Sequence, residues 1–322
     1  MVAPSVAENS MIEIGRVPLL GAGGEPVDFW RTVRSHGLPS LPPMEIDEAT
    51  RSFTVTLRLP SAPCTVCVRS VEPTVVTVSV SVAMSPEDEA AALVAVRHIL
   101  RLDADLSAFY VLAAADPTLA WCVTGCGRMA RSATPFEDLI KTVCTTNCAW
   151  SGTVRMVTAL VEHLGEAAPD VAETGWRGRA FPTPEAMAAA PESFYRGVCR
   201  AGYRAPYLRA LAAAVAAGSL DLDGLASASP EDLSDDNLAK RLLALPGVGP
   251  YASAHLMTLF GRSSRLILDS WTRPTYAIRM GLAAGERVPD TEIMARFAPY
   301  GAYAGLAFWL TVTEDWVANE GG

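Results

Sequence analysis

Residues 245–251 constrain this chain most: they read LPGVGPY and place two glycines two positions apart. Glycine accepts backbone conformations that other residues avoid, and its missing side chain lets a ligand approach the main chain closely. The flanking runs 235–244 and 250–260 favour helices, so the pattern predicts two helices joined by a tight hairpin. Free amides at the start of the second helix suit one phosphate of a nucleic-acid backbone.

Length and composition limit the broad class of protein. The chain has 322 residues, half of them hydrophobic, which suits one large domain or two to three smaller ones. The alanine-rich run 208–218 is too short to span a membrane and contains Arg209. Residues 1–10 lack the basic and apolar regions of a secretory signal. We therefore expect a short disordered tail on a monomeric, cytoplasmic protein.

The pattern of apolar residues changes from strands to helices near residue 85. Residues 51–59 alternate polar and apolar side chains and residues 75–83 are rich in valine, as in strands of an antiparallel sheet. From Ser85, an expected helix cap, the pattern is helical to the end. The predicted fold class is α+β, with an antiparallel β-sheet domain at 11–85 and a two-lobed all-helical region behind it. One lobe comprises 86–135 and 262–322, and the other, 136–261, carries the hairpin.

The chain has seven cysteines, an odd number that does not favour a disulfide framework in the absence of a signal peptide. Cys64 and Cys67 lie on the predicted strand segment 54–68, and their odd spacing points them to opposite faces, which does not favour a metal site. Cys144 and Cys148 share a helix face and are expected to be small packing residues. No four-cysteine cluster follows the hairpin, so an iron–sulfur cluster is not expected.

The net charge of −9 by itself argues against nucleic-acid binding. Six basic residues nevertheless lie between positions 240 and 279 beside a single acid, and four arginines lie within 192–209. Acids concentrate in 221–236 instead. This segregation predicts a one-sided basic surface that includes Lys240 and Arg273, with modest and strongly salt-dependent affinity. Chance clustering of arginines is the alternative.

One carboxylate, Asp269, follows Gly249 by twenty residues in the apolar context LILDSW. It precedes a predicted helix at 270–281 and is therefore a candidate helix cap. It is also a candidate catalytic residue, because a carboxylate can stabilise positive charge on a sugar and orient a water molecule. The two roles are compatible, since a cap fixes the direction of the carboxylate.

The hairpin followed by Asp269 resembles the helix-hairpin-helix DNA glycosylase superfamily, including 8-oxoguanine DNA glycosylases and bacterial 3-methyladenine DNA glycosylase II. The resemblance implies an enzyme of base excision repair that flips a damaged purine out of double-stranded DNA and hydrolyses its N-glycosidic bond, with Asp269 as the catalytic residue. Bifunctional members carry a lysine two residues past the second glycine, where this chain has Tyr251. Because a tyrosine cannot form a Schiff base, we expect a monofunctional hydrolase.

Two further segments resemble the 8-oxoguanine glycosylases. CTTNC at 144–148 places Asn147 where the family has an asparagine that reads the partner base. GYRAPY at 202–207 implies that Tyr203 wedges into the duplex and that Arg204 contacts the orphaned base. Gly37 falls near a glycine that senses oxidised guanine, whereas Gly152 stands where the family has an arginine that reads cytosine. Whether the purine is alkylated or oxidised stays open.

The superfamily resemblance also implies a pocket and an ion. Tyr251, Trp309 and His255 would line the pocket for the flipped base. Gly247 and Gly249 would grip the DNA backbone and hold a monovalent cation, Na⁺ or K⁺, through their main chain, with no organic cofactor. Two alternatives stay open: a non-catalytic DNA-damage-binding protein with this fold, and a hydrolase acting on a nucleoside or another small molecule.

Overall fold

The computed structural model describes residues 11–169, 174–283 and 285–316. The tail expected at 1–10 and the end of the predicted lobe, 317–322, lie outside the described residues. The first part of the chain forms a five-stranded antiparallel sheet in the order β1-β5-β4-β3-β2. Its strands are β1 (Ile12–Pro18), β2 (Met44–Asp47), β3 (Ser52–Arg58), β4 (Pro63–Glu72) and β5 (Val75–Val80). The sheet and the helices that follow confirm the predicted α+β class.

Valines explain why the middle of the sheet forms a core. Val66 and Val68 on β4 and Val76, Val78 and Val80 on β5 are all fully buried, because alternate β-branched residues point to the same face. Cys64 and Cys67 lie on β4, opposite Leu57 and Thr54 of β3. Within the described residues, no group of three or more histidine, cysteine or acidic side chains is arranged to hold a metal ion.

Thirteen helices are described, of which the first lies between β1 and β2 and the others follow the sheet. They are α1 (Phe29–Val33), α2 (Pro86–Ile99), α3 (Ser107–Ala115), α4 (Pro135–Thr145), α5 (Trp150–Leu164), α6 (Pro184–Ala189), α7 (Ala205–Ala216), α8 (Leu222–Ser227), α9 (Asp235–Leu243), α10 (Pro250–Leu259), α11 (Thr272–Arg279), α12 (Asp290–Phe297) and α13 (Ala304–Thr313). The short helices α1 and α8 were not expected from the sequence. No helix in the described part of the chain is long and apolar enough to cross a membrane.

Side-chain caps fix where several helices begin. The hydroxyls of Ser85, Thr134, Thr183 and Ser234 each accept a hydrogen bond from the amide three residues later, at the starts of α2, α4, α6 and α9. Such caps satisfy amides that have no partner within the helix. The prediction that Ser85 caps a helix is therefore confirmed.

The buried apolar side chains form three clusters. The sheet cluster extends past residue 85 and takes in Val96 and Ile99 of α2, which the sequence had assigned to a helical lobe. A second cluster lies mainly within 136–260, and a third combines 106–129 with 254–312. The helix α2 thus packs with the sheet because its buried face is apolar. The division into a sheet domain and two lobes stays a prediction.

Candidate functional site

The predicted hairpin lies between α9 and α10. Gly247 adopts a φ of +80°, and a Cβ atom there would lie 2.9 Å from Cδ2 of Tyr207 and 3.3 Å from Cγ1 of Val143. Only glycine fits such a position without strain. Gly249 precedes α10 and has an extended backbone. A Cβ atom at this position would have no atom beyond those of its chain neighbours within 4 Å, so the start of α10 is open to a ligand. The predicted arrangement of helix, glycine hairpin and helix is confirmed.

Asp269 binds the start of α11, as predicted, from two residues before the N-cap position, which Trp271 occupies. Its Oδ1 accepts hydrogen bonds from the amides of Trp271 (2.8 Å) and Thr272 (2.7 Å). Its own amide donates to Oγ1 of Thr272 at 2.8 Å. Two hydrogen bonds to Oδ1 therefore hold the carboxylate in one orientation, and the third fixes the backbone beneath it. Its other oxygen, Oδ2, has no hydrogen-bond partner among the described residues and is free to face a ligand.

A cleft with an enclosed volume of about 60 Å³ brings the predicted pocket residues together. Asp269, Tyr251, His255 and Trp309 all line it. The remaining lining comes from Ile267, which is close to Asp269 in sequence, and from residues far away in sequence: His36, Gly37, Leu38, Thr145 and Trp150. The sequence had pointed to Gly37 but not to the other five. A ligand of base size requires this cleft to widen, because small-molecule sites typically measure roughly 300 Å³ or more.

The aromatic walls of the cleft are held by polar contacts. The hydroxyl of Tyr251 lies 3.3 Å from Oγ1 of Thr145, and burial raises the pKa of that phenol. The indole Nε1 of Trp309 donates to the carbonyl of Ser35 at 2.9 Å. Trp309 also packs edge-to-face against Trp316 and is tilted against Trp271, with ring centroids 5.7 and 6.1 Å away. These contacts fix two flat apolar surfaces beside the Asp269 carboxylate.

Two buried histidines meet in the cleft. The rings of His36 and His255 lie edge to face with their centroids 5.3 Å apart. Burial lowers the pKa of His255 to about 4. Burial, together with the positive charge of a protonated His255, lowers the pKa of His36 to about 3. Both imidazoles are therefore neutral near pH 7.

Trp150 covers one side of the cleft. A Cβ atom on Gly37 would lie 2.8 Å from Cη2 of Trp150, so the indole rests against the glycine backbone. Trp150 begins α5 and is 45 % exposed. A half-exposed side chain at the end of a helix can change rotamer at little cost. Its movement is one way for the cleft to widen.

The residues expected to fill the gap in the duplex lie after α4 and in a short 3-10 helix before α7. Asn147 follows α4, is exposed and has a φ of +45°. The Tyr203 ring is 51 % exposed, and its hydroxyl lies 3.5 Å from the carbonyl of Thr146. Arg204 is only 5 % exposed: its guanidinium stacks on Tyr203 at 4.4 Å and its Nε donates to Oγ1 of Thr146 at 3.2 Å. Arg204 must therefore rearrange, or the protein around it must open, before it can contact a base.

The predicted basic surface is smaller than the sequence count indicated. Arg273 forms a two-pronged ion pair with Asp290, through contacts of 2.7 and 2.9 Å. Arg279 pairs with Glu314 and Asp315. Arg262 and Arg265 pair with Asp235 and Asp236. Acids from other parts of the chain thus neutralise four of the six cations, because folding brings together charges that the sequence separates. Lys240 is exposed on α9.

Comparisons with known proteins find similar folds among solved structures but no similar sequence. No protein-family model and no curated protein sequence matches the chain. Among solved structures, 3-methyladenine DNA glycosylase from Archaeoglobus fulgidus superposes with a TM-score of 0.69 at 16 % identity, covering 93 % of this chain and 98 % of that one. MBOgg1 in complex with a low-affinity DNA ligand gives 0.66 at 17 % identity, covering 94 % and 98 %.

A third structure extends the same result. The 8-oxoguanine glycosylase/lyase of Clostridium acetobutylicum, in complex with double-stranded DNA containing cytosine opposite 8-oxoguanine, gives a TM-score of 0.65 at 19 % identity. The match covers 88 % of this chain and 93 % of that one. These similar structures are DNA glycosylases, which agrees with the resemblance seen in the sequence. The chain has their fold over nearly its whole described length.

Proposed function

We propose that this protein is a monofunctional DNA glycosylase that flips a damaged purine from duplex DNA and hydrolyses its N-glycosidic bond. The observation that carries the proposal is the placement of Asp269 in the aromatic cleft, with Oδ1 held by α11 and Oδ2 free. As the bond breaks, positive charge develops on the sugar, and a carboxylate fixed in advance stabilises that charge without reorganisation. The same oxygen can orient the attacking water.

The lysines of the chain support hydrolysis rather than lyase chemistry. The sequence contains two lysines, Lys141 and Lys240. Lys141 is buried, pairs with Glu137 at 2.7 Å and donates to the carbonyl of Leu41 at 3.3 Å. Lys240 is exposed on α9, and neither lysine lines the cleft. A Schiff base with the sugar needs an amine within reach of it, so the structure favours water as the nucleophile.

The hairpin would hold the DNA while the base is flipped. The amides of Tyr251 and Ala252 stand at the start of α10, where a phosphate is favoured by the helix dipole. The Gly247 carbonyl accepts no backbone hydrogen bond from the described residues, whereas that of Gly249 accepts from Ser253 at 2.8 Å. The Gly247 carbonyl, rather than that of Gly249, would therefore hold a monovalent cation, whose charge would favour a phosphate at the hairpin. Tyr203 and Asn147 would fill the space left in the duplex.

The test is release of bases from duplex DNA that carries alkylated and oxidised purines, measured by mass spectrometry. We expect Asp269→Asn to lower the single-turnover rate roughly 10²–10³-fold, because the stabilising charge is lost. DNA affinity should stay within about threefold, since the amide can still accept both helix-capping hydrogen bonds. Asp221→Asn is a matched control, because Asp221 likewise accepts an amide at the start of a helix, α8, and does not line the cleft.

Other outcomes would favour the alternatives. A wild-type protein that binds damaged duplexes and releases no base would be a damage-binding protein. Release of base from free nucleosides with no effect of Arg204→Ala would indicate a small-molecule hydrolase. A covalent adduct trapped by borohydride would contradict the monofunctional assignment.

A further inference from the structure

His255 differs from the other polar groups of the cleft because nothing in the protein satisfies it. The residue is 5 % exposed, and neither Nδ1 nor Nε2 has a hydrogen-bond partner among the described residues. Buried polar atoms are almost always hydrogen-bonded, and an exception calls for a physical explanation. Since His255 lines the cleft beside Tyr251 and Asp269, a ligand in that cleft is in position to supply the missing partner.

The neighbouring His36 shows what a satisfied imidazole looks like in the same place. Its Nε2 lies 2.7 Å from the carbonyl of Ala130, which can only accept, so Nε2 carries the proton. Its Nδ1 then accepts from the amide of Leu38 at 3.4 Å. His36 is thus locked in one neutral tautomer and packs against His255. His255 itself is free to adopt either tautomer and to present a donor or an acceptor.

Two buried cations oppose the placement of a further positive charge at His36. The buried cations Lys141 and Arg101 both act on His36 in the direction that opposes a further positive charge. Arg101 is buried and donates to the carbonyl of Thr258 at 2.6 Å. A positively charged base placed against His36 would therefore lose hydration and meet repulsion. The negative charge that lines the cleft, that of Asp269, faces the sugar in the proposed complex. An uncharged ligand with a polar edge avoids both costs.

We propose that His255 is the specificity-determining residue of the cleft and recognises an uncharged base through a hydrogen bond to its polar edge. This inference rests on the proposed glycosylase function. It favours neutral modified purines over cationic alkylated ones, a distinction that the aromatic walls alone do not make. His36 acts as a positioning residue that holds the His255 ring in place.

The experiment compares two duplexes, one containing hypoxanthine, which is neutral with a polar edge, and one containing cationic 7-methylguanine. Single-turnover base release is measured for the wild type, His255→Leu and His255→Asn. We expect His255→Leu to lower release of hypoxanthine by on the order of 10- to 100-fold, the cost of an unmade hydrogen bond in a buried site. Release of 7-methylguanine should change less than about threefold, because its positive charge disfavours contact with the histidines although its O6 edge is also polar. His255→Asn should recover part of the hypoxanthine rate because it keeps a donor and an acceptor.

The chain offers a matched control in His98. Its Nε2 is likewise buried without a partner, but the residue lies on α2 and does not line the cleft. His98→Leu should leave the ratio of the two rates unchanged. The proposal would be overturned if His255→Leu lowered both rates equally. It would also be overturned if His98→Leu changed the ratio of the two rates as much as His255→Leu does.

A second measurement separates this inference from the proposed function. The ¹⁵N chemical shifts of the His255 imidazole are recorded with duplexes in which a 2′-fluoro sugar prevents cleavage. A change in the His255 chemical shifts with hypoxanthine, absent with 7-methylguanine, supports recognition of the base by His255. If the wild type nevertheless releases no base, the glycosylase function is contradicted while the recognition role of His255 stands. Unchanged His255 shifts with both duplexes, while other residues report binding, would contradict the role of His255.

Discussion

Two buried arginines, Arg128 in the structural core and Arg204 near the candidate site, differ in how their charges are satisfied. Arg128 is fully buried, pairs with Glu25, and donates to the carbonyls of Arg101 (3.1 Å) and Ala104 (3.0 Å). Arg204 is almost as buried, yet it makes one hydrogen bond, to Thr146, and its Nη2 has no partner among the described residues. Arg128 thus joins the end of α2 to the loop before α1, whereas Arg204 lies under the exposed ring of Tyr203.

The difference separates groups that serve folding from groups that await a ligand. A buried charge costs free energy unless it is paired and hydrogen-bonded. Arg128 meets that requirement within the protein, and His36 does the same in the cleft. Arg204 and His255 do not, and both lie where the proposed DNA complex would supply partners. Within each pair, the group without a full set of partners is therefore the one that lies on the proposed DNA-facing surface.

The largest expected effect on stability comes from replacing Arg128, the arginine whose charge is paired and hydrogen-bonded within the protein. Arg128→Met should lower the free energy of unfolding by about 3–5 kcal/mol, because Glu25 is left as a buried charge without its partner. Arg204→Met should cost less than about 1.5 kcal/mol, since only one hydrogen bond is lost. Urea denaturation of both variants measures the difference. Equal losses would remove the distinction between the two arginines, and Arg128→Met/Glu25→Gln should recover part of the stability.

The pH dependence of stability tests the buried imidazole in the cleft. An unfolded histidine titrates near about 6.5, whereas the folded pKa of His255 is about 4. Between these values the unfolded state binds the extra proton, so stability falls as pH falls, by about 1.4 kcal/mol per pH unit. Relative to His255→Asn, the wild type should lose about 2 kcal/mol of stability between pH 7 and pH 5. A constant difference across this range would show that His255 is not shielded as described.

Two glycines sharpen the contrast between hairpin and cleft. Gly247→Ala should lower the free energy of unfolding by about 1–3 kcal/mol, because alanine is strained at positive φ and meets the Tyr207 side chain. Gly37→Ala should cost less than about 1 kcal/mol, since Gly37 has a φ of −75° and meets the movable ring of Trp150. Thermal denaturation measures both, and tryptophan fluorescence should change for Gly37→Ala. The reverse order of stabilities would contradict the assigned contacts.

The smallest effect concerns the remaining surface charge. Lys240→Ala should leave the stability unchanged and reduce the slope of log K against log salt concentration by about one, the signature of one lost phosphate contact. Arg273→Ala should change that slope less, because Asp290 already neutralises Arg273. Fluorescence anisotropy over a range of salt concentrations measures both slopes. A larger effect for Arg273 would mean that its ion pair opens on DNA.

Local patterns in the sequence determined the elements and the central motif. Alternating residues predicted β3 and a valine-rich run predicted β5. A serine predicted the start of α2, and the spacing of two glycines predicted the hairpin. These features depend on the conformational preferences of neighbouring residues, which a sequence states directly. The capping role of Asp269 was predictable for the same reason.

Only the tertiary structure decided which side chains meet and which charges remain without an ion-pair partner. His36 and Trp150 reach the cleft from α1's following loop and from the start of α5, and no local pattern marks them. Arg273 and Arg279 looked free in the sequence, but acids up to 36 positions away neutralise them. Arg204, which the resemblance expected to contact the orphaned base, is buried. Burial and long-range pairing depend on how the elements pack, so a sequence names the candidate groups while the fold decides which of them are left without a partner.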